Sequence, residues 1–130
     1  MSHQNALPNK NHLSQPIGFP VPDWKAPPPP SREPMQGRYC RLEPLTPDLH
    51  AKDLFEANAV DKEGRNWTYL FDEPPKTFEE YVERLHKMAP GNDPLFFTIV
   101  LNETNKAVGV ASYLRITPSA GSIEVGSINF

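Results

Sequence analysis

The sequence contains a single cysteine, no long hydrophobic run and no excess of positive charge among its 130 residues. Because Cys40 has no second thiol to pair with, the chain lacks the disulfide cross-links typical of small secreted domains. No segment approaches the roughly 20 apolar residues that a membrane-spanning helix needs, and the N-terminus lacks a basic stretch followed by an apolar one. With a net charge of −3 and no basic stripe, we expect a cytoplasmic protein whose partners are neither nucleic acid nor membrane.

Residues that commonly bind metal ions are sparse as well. The chain has four histidines, and the two in its predicted helices, His50 and His86, have no second histidine or carboxylate at the spacing that metal sites use. We therefore predict no metal site.

Proline is abundant but unevenly distributed, since nine of the 16 prolines lie before Gly37. Proline fixes φ and removes a backbone donor, so residues 1–36 are predicted to form a proline-rich arm instead of a helix or a central strand. Residues 27–32 have the PxxPxR spacing that SH3 domains bind. A stiff leader lying along the domain explains the same composition, and it is the interpretation we favour.

Residues 37–130 show the patterns of a folded domain. Alternation of apolar and charged residues around Cys40 predicts a strand. Thr46 followed by Pro47 predicts the start of a helix that runs to about Asn58. A second helix follows a loop and begins at the capping box formed by Thr77 and Glu80.

Three apolar runs after the second helix, at residues 93–101, 107–116 and 121–130, are separated by short polar turns. Runs of this length that are rich in β-branched and aromatic residues predict strands, and their short connections predict an antiparallel meander. The element order is therefore strand, helix, helix and a three-strand meander, which is a mixed α/β class with no internal repeat.

The last run, GSIEVGSINF, changes its side-chain parity. Ile123 and Val125 share one face of an extended strand, whereas Ile128 and Phe130 fall on the other parity. One surplus residue near Gly126–Ser127 would produce this shift, and we predict a β-bulge there, with Gly126 allowing the backbone angles. Such a bulge either turns backbone N–H groups toward a ligand or is an irregularity of an edge strand without function.

The stretches NWTYL, DPLFFTIV and AVGVASYLRITPSAGSIEVGSINF resemble the first half of a GNAT-family N-acetyltransferase, in the group similar to the ribosomal-protein N-terminal acetyltransferases. The resemblance covers roughly residues 13–130, and it implies a partial GNAT-like fold. It also implies acetyl transfer from acetyl-CoA to a primary amine, which is a small molecule or a protein N-terminus. In that family a bulged fourth strand separates from the fifth, and acetyl-CoA lies in the opening.

The resemblance implies the following site residues. The cofactor would be bound at the bulge by Gly126, Ser127, Ile128 and Asn129. Glu124 would act as the general base, although a solvent-facing glutamate is an alternative. The acceptor would contact Trp67, Tyr69, Tyr113 and Arg115. The alternative for these residues is structural, with the aromatic side chains packed in the core and Arg115 exposed at the end of a strand.

The sequence departs from the family pattern in two respects. Relatives of this type often have histidine where Ser127 stands, so no role of the Ser127 side chain is carried over from the resemblance. The glycine-rich turn that binds pyrophosphate would follow the strand that ends at Phe130. We therefore expect residues 37–130 to be an N-terminal half-domain that is inactive alone. The alternative function is a non-catalytic interaction module that self-associates through its exposed C-terminal strand.

Overall fold

The computed structural model describes residues 9–130, which form two helices and seven strands. The strands are β1 (Asn9–Lys10), β2 (Pro16–Ile17), β3 (Met35–Gln36), β4 (Cys40–Pro44), β5 (Leu95–Leu101), β6 (Ala107–Thr117) and β7 (Ser122–Asn129). The helices are α1 (Pro47–Val60) and α2 (Phe78–Met88), with short 3-10 turns at Arg65–Trp67 and Pro118–Ala120. No helix within residues 9–130 is long and apolar enough to cross a bilayer.

The main sheet has five antiparallel strands in the order β3-β4-β5-β6-β7. Successive strands are neighbours, as expected for short connections. The predicted order of strand, two helices and three-strand meander is confirmed, and α1 extends two residues beyond its predicted end. The mixed α/β fold class is therefore correct.

The proline-rich arm contains no helix over the residues that the structure describes, 9–36. Its first part is a small hairpin in which β1 pairs with β2. Farther along, Trp24 lies against the turn between β6 and β7, where a β-carbon at Gly121 would come within 3.1 Å of the indole ring. The arm thus contacts the domain. Residues 1–8 lie outside the described part of the chain.

The two helix starts differ in how their free N–H groups are satisfied. The Thr77 hydroxyl accepts a hydrogen bond from the Glu80 N–H at 3.1 Å, as the capping box predicts. Thr46 occupies the N-cap position of α1, but its hydroxyl donates to the Pro44 carbonyl at 3.1 Å. The Thr46 N–H donates instead to Nδ1 of His50, also at 3.1 Å.

A buried polar network joins α1 to the sheet. His50 is buried, and its Nε2 lies 2.8 Å from Oε2 of Glu43, while the Thr98 hydroxyl lies 3.1 Å from its Nδ1. Hydrogen bonds from Arg41 and then His50 lower the pKa of Glu43 below its usual value. His50 therefore does have a carboxylate partner, contrary to the prediction, because strand pairing and helix packing bring the two residues together. Among residues 9–130, no three potential ligands cluster as a metal site would require.

The hydrophobic core lies between the helices and one face of the sheet, called here the helix face. Its buried apolar members are Leu45, Ala51, Leu54, Tyr81, Leu85, Val100, Ala107 and Val110. Cross-strand partners share a face, so the pairing of Thr98 with Val110 continues this layer into β6.

Truncating Leu54 to alanine should lower the free energy of unfolding by about 2–5 kcal/mol, because the side chain is 1% exposed and its removal leaves a cavity. Leu49→Ala is the matched control on the same helix, since Leu49 is 67% exposed and its loss should change stability by less than about 0.5 kcal/mol. Urea denaturation measures both variants. Equal effects would contradict the assignment of the buried face.

Candidate functional site

The ladder between β6 and β7 contains a β-bulge close to its end. Ser112 pairs with Gly126 and Val110 pairs with Asn129, so three steps along β7 oppose two along β6. Ser127 lies inside this interval and has a φ of +49°. The bulge predicted from side-chain parity is confirmed, with the surplus residue at the expected place.

The bulge keeps the apolar residues of β7 on a single face. Val125 pairs with Tyr113, and both point away from the helices, on the side called here the far face. Beyond the bulge, Asn129 returns to the helix face, so Ile128 lies on the far face together with Val125. Without the surplus residue, Ile128 would point into the layer occupied by the helices.

Side chains from β6, α1 and α2 form hydrogen bonds at and around the bulge. The Ser112 hydroxyl, which is buried, donates to the Gly126 carbonyl at 2.9 Å. On the other side, Nδ2 of Asn129 donates to Oδ1 of Asn58 at 3.0 Å, and Asn58 in turn donates to the Tyr81 hydroxyl at 3.3 Å. Burial raises the pKa of Tyr81 to about 12.

The bulge opens into a cleft of about 510 Å³ between α2, the segment after α1 and the facing parts of β6 and β7. The cleft is lined by Trp67, Tyr69, Leu70, Phe71, Asp72, Tyr81, Arg84, Leu85, Met88, Pro94, Phe96, Val110, Leu114, Arg115, Glu124, Ser127 and Asn129. A mostly apolar wall with a few charged groups is typical of small-molecule sites.

One wall is an aromatic segment that Arg84 fastens to α2. The Arg84 guanidinium lies 5.7 Å from the centre of a Trp67 ring and donates to the Glu73 carbonyl at 2.8 Å. Farther along the segment, Tyr69 and Phe71 are fully exposed at the rim of the cleft. Exposed aromatic rings at the edge of an apolar cleft are available for contact with a ligand.

The charged groups on the opposite wall are Glu124 and Arg115. Glu124 pairs with Leu114 across the ladder and therefore lies on the helix face. Its Oε2 is 3.4 Å from Nε of Arg115, and the two side chains are 47% and 81% exposed. An ion pair this exposed is weak and is easily exchanged for contacts with a ligand.

Six of the predicted site residues line the same cleft, namely Trp67, Tyr69, Arg115, Glu124, Ser127 and Asn129. Tyr113 does not, because it lies on the far face with its ring 5.9 Å from Phe97. The predicted placement of Tyr113 on the acceptor side is therefore wrong, since strand alternation separates it from Glu124. Ile128 also faces away from the cleft.

Gly126 serves a different purpose from the one predicted. It has no positive φ, and the left-handed residue of the bulge is Ser127. A β-carbon at Gly126 would lie 2.9 Å from Cδ2 of Leu114. A side chain at this position would therefore displace the end of the Leu114 side chain.

Two polar residues of the site were missed by sequence reasoning, namely Asn58 and Tyr81. Tyr81 sits in the apolar stripe of α2 and resembles an ordinary core residue there, although a buried phenol needs a hydrogen-bond partner. Asn58 and Asn129 are 71 positions apart, and no local pattern relates them.

Solved structures of GNAT proteins are similar to this chain. A GCN5-related N-acetyltransferase from Brucella melitensis matches with a TM-score of 0.80 and 39% identity, over 83% of this chain and 49% of its own. A probable acetyltransferase of the GNAT family from Chromobacterium violaceum matches with a TM-score of 0.74 and 22% identity, over 89% of this chain and 58% of its own. The chain has a GNAT-like fold.

This GNAT-like chain spans about half the length of these two proteins. The likeness to the Chromobacterium protein, at 22% identity, supports the fold alone. No family model and no curated protein matches the sequence. The comparisons support a relation to GNAT acetyltransferases in general, and they do not assign the chain to the ribosomal-protein group.

Substitutions at Ser127 test the left-handed conformation of the bulge. Ser127→Gly should leave the free energy of unfolding unchanged or raise it by up to about 1 kcal/mol, because glycine adopts positive φ without a steric cost. Ser127→Val should lower it by about 1–2 kcal/mol, because a β-branched residue is strained there.

The matched control for this pair is Ser122→Val at the start of the same strand. Ser122 is exposed and has no positive φ, so valine should change stability by less than about 0.5 kcal/mol there. Urea denaturation measures all three variants. If valine is tolerated equally well at positions 122 and 127, the bulge is not as described.

Proposed function

We propose that the protein transfers an acetyl group from acetyl-CoA to a primary amine, and that this chain supplies the acceptor cleft and the bulged strand beside it. The observation that carries the proposal is the position of the bulge. Ser127 lines the same cleft as Glu124, so a strained backbone and a candidate base meet at one apolar site. The similarity to GNAT acetyltransferases supports acyl transfer as the reaction class.

The described residues fit one end of acetyl-CoA. Strand β7 is the last strand of the sheet within residues 9–130, so its outer edge has no neighbouring strand there. Backbone N–H groups at Ser127 and Ile128 would hold the thioester carbonyl and, later, the oxyanion. Neither α1 nor α2 begins at a glycine-rich turn, so neither has the pyrophosphate-binding motif. When bound, acetyl-CoA supplies an activated acyl group.

Glu124 is the proposed general base. An amine must lose its proton before it can form a bond to an acyl carbon, and a half-exposed carboxylate at the mouth of an apolar cleft can accept that proton directly or through a water. Arg115 lies beside this carboxylate, with its Nε 3.4 Å from Oε2 of Glu124. The chain therefore provides the group that accepts the proton and a cation next to it.

The aromatic wall would contact the acceptor. Trp67 is fastened by Arg84, whereas Tyr69 and Phe71 are free to pack on the carbon skeleton next to the amine. The charged lining residues are balanced, with Asp72 and Glu124 against Arg84 and Arg115, so the apolar and aromatic wall supplies most of the contact with the acceptor. Both a small-molecule amine and a protein N-terminus satisfy this chemistry.

Replacing Glu124 with glutamine should lower kcat for acetyl transfer by about 100-fold or more, because the amide cannot accept the proton. The Kd for acetyl-CoA should be unchanged, since Glu124 has no assigned contact with the cofactor. Because residues 37–130 are expected to be inactive alone, thiol release with a panel of primary amines is measured on a protein that also carries the pyrophosphate-binding turn, and calorimetry measures acetyl-CoA binding.

Glu103→Gln provides the control for this experiment, because Glu103 is an exposed carboxylate in the loop between β5 and β6 and does not line the cleft. It should behave like the wild type. An unchanged kcat in Glu124→Gln at every pH would remove Glu124 from the mechanism. Absence of thiol release with every class of amine would contradict the proposed function itself.

A further inference from the structure

Strand β6 contains a bulge of its own, directly beside the candidate base. Leu114 pairs with Glu124 and Thr117 pairs with Ser122, so three steps along β6 oppose two along β7. The surplus residue lies at Arg115–Ile116, and Arg115 has a φ of +49°. Bulges change the direction of a side chain, and this one directs Arg115 toward the cleft.

The carboxylate of Asp93 satisfies the backbone groups that this bulge leaves unpaired. Its Oδ1 accepts from the Arg115 N–H at 2.9 Å, and its Oδ2 accepts from the Ile116 N–H at 3.0 Å. Hydrogen bonds to a charged acceptor are stronger than neutral ones, so this bidentate contact offsets the left-handed conformation of Arg115.

Arg32, the arginine of the PxxPxR pattern, anchors the turn that carries Asp93. Its guanidinium donates to the carbonyls of Ala89, Pro90 and Gly91 at 3.2, 3.1 and 2.6 Å, and to Oδ1 of Asn92 at 2.7 Å. A cation is favoured at the C-terminal end of a helix, where carbonyl groups lack partners. These contacts hold the residues directly before Asp93.

The arm also lies along the other side of the same bulge. Pro27, Pro28 and Pro30 line a small hollow together with Ile116 and Ile123. The contacts therefore form a continuous series from Arg32 through the turn at residues 89–92 to Asp93, and from there through Arg115 to Glu124. Arg32 bonds to the residues that follow α2, and Pro27 and Pro30 line this hollow, so the arginine and both prolines of the PxxPxR pattern contact the domain itself.

We propose that Asp93 is a positioning residue, which fixes Arg115 beside Glu124, and that Arg32 of the proline-rich arm anchors it. The inference rests on the proposed role of Glu124 and extends it to residues outside the cleft. Arg115 is 81% exposed, so its side chain has little packing to hold it. Its orientation depends on its backbone, and its backbone depends on Asp93.

The test follows the Nε–H resonance of Arg115 in the ¹⁵N-labelled intact protein, assigned with Arg115→Lys. In the wild type, Glu124→Gln should shift this resonance, because it removes the charge 3.4 Å away. In an Asp93→Ala background the same substitution should cause no shift. In Asp93→Ala, the hydrogen-exchange protection of the Arg115 and Ile116 backbone amides should also fall at least about tenfold relative to the wild type.

Two further variants should give intermediate effects. Asp93→Asn keeps one acceptor oxygen, so in this background Glu124→Gln should still shift the Arg115 resonance, but by less than in the wild type. This variant also provides the test if Asp93→Ala does not fold. Arg32→Ala should weaken the response, whereas Arg38→Ala should not, since Arg38 lies over the Tyr39 ring and not at the end of α2. A full response in Asp93→Ala or Asp93→Asn would overturn the proposal.

The activity of the same variants separates this inference from the proposed function. If Asp93 acts through Arg115, then Asp93→Ala should lower kcat in the wild type and have little further effect in an Arg115→Ala background. Equal losses in both backgrounds would show a general structural effect and would contradict positioning. If neither the wild type nor any variant releases thiol, the proposed function fails. The Arg115 resonance then decides by itself whether Asp93 positions Arg115.

Discussion

The surplus residue at Ser127 is the constraint on which the site depends. It allows β7 to keep Val125 and Ile128 on the far face while Glu124 and Asn129 both reach the helix face. A regular strand of the same sequence could not place both pairs on these faces. The left-handed backbone of Ser127 lowers the stability of the folded state by about 1–2 kcal/mol, which the neighbouring hydrogen bonds must offset.

The bonds that offset this cost come from different parts of the fold. Ser112 donates to the Gly126 carbonyl from β6, and Asn129 reaches Asn58 of α1, which in turn contacts Tyr81 of α2. Each of these bonds contributes about 1 kcal/mol. The helices therefore do more than cover the sheet, because Asn58 of α1 bonds both to the bulged end of β7 and to Tyr81 of α2.

Much of the fold could be predicted from the sequence because its signals are local. Thr77 with Glu80, Thr46 with Pro47 and the parity change in β7 each involve residues within a few positions of one another, and each predicted the correct element. To predict which face of the sheet Tyr113 occupies, one needs the register of β6 against β7. That register is known only from pairing across the turn at residues 118–121.

The contacts that organise the site were beyond sequence reasoning for the same physical reason. Asp93 and Arg115 are 22 positions apart, and Arg32 reaches a helix end 57 to 60 positions away. Side-chain bonds to freed backbone groups leave no periodic pattern in the sequence. Proline content predicted the arm, but only the structure places its arginine against α2.

The most direct test of the account is a titration of the ¹⁵N-labelled intact protein with acetyl-CoA, in which every backbone amide is followed. The account predicts that the Ser127 and Ile128 amides show the largest saturable shifts, while the loop at residues 102–106 remains unchanged. Saturable binding that leaves residues 126–128 unperturbed, or no binding at all, would contradict the claim that the bulge of β7 receives the thioester.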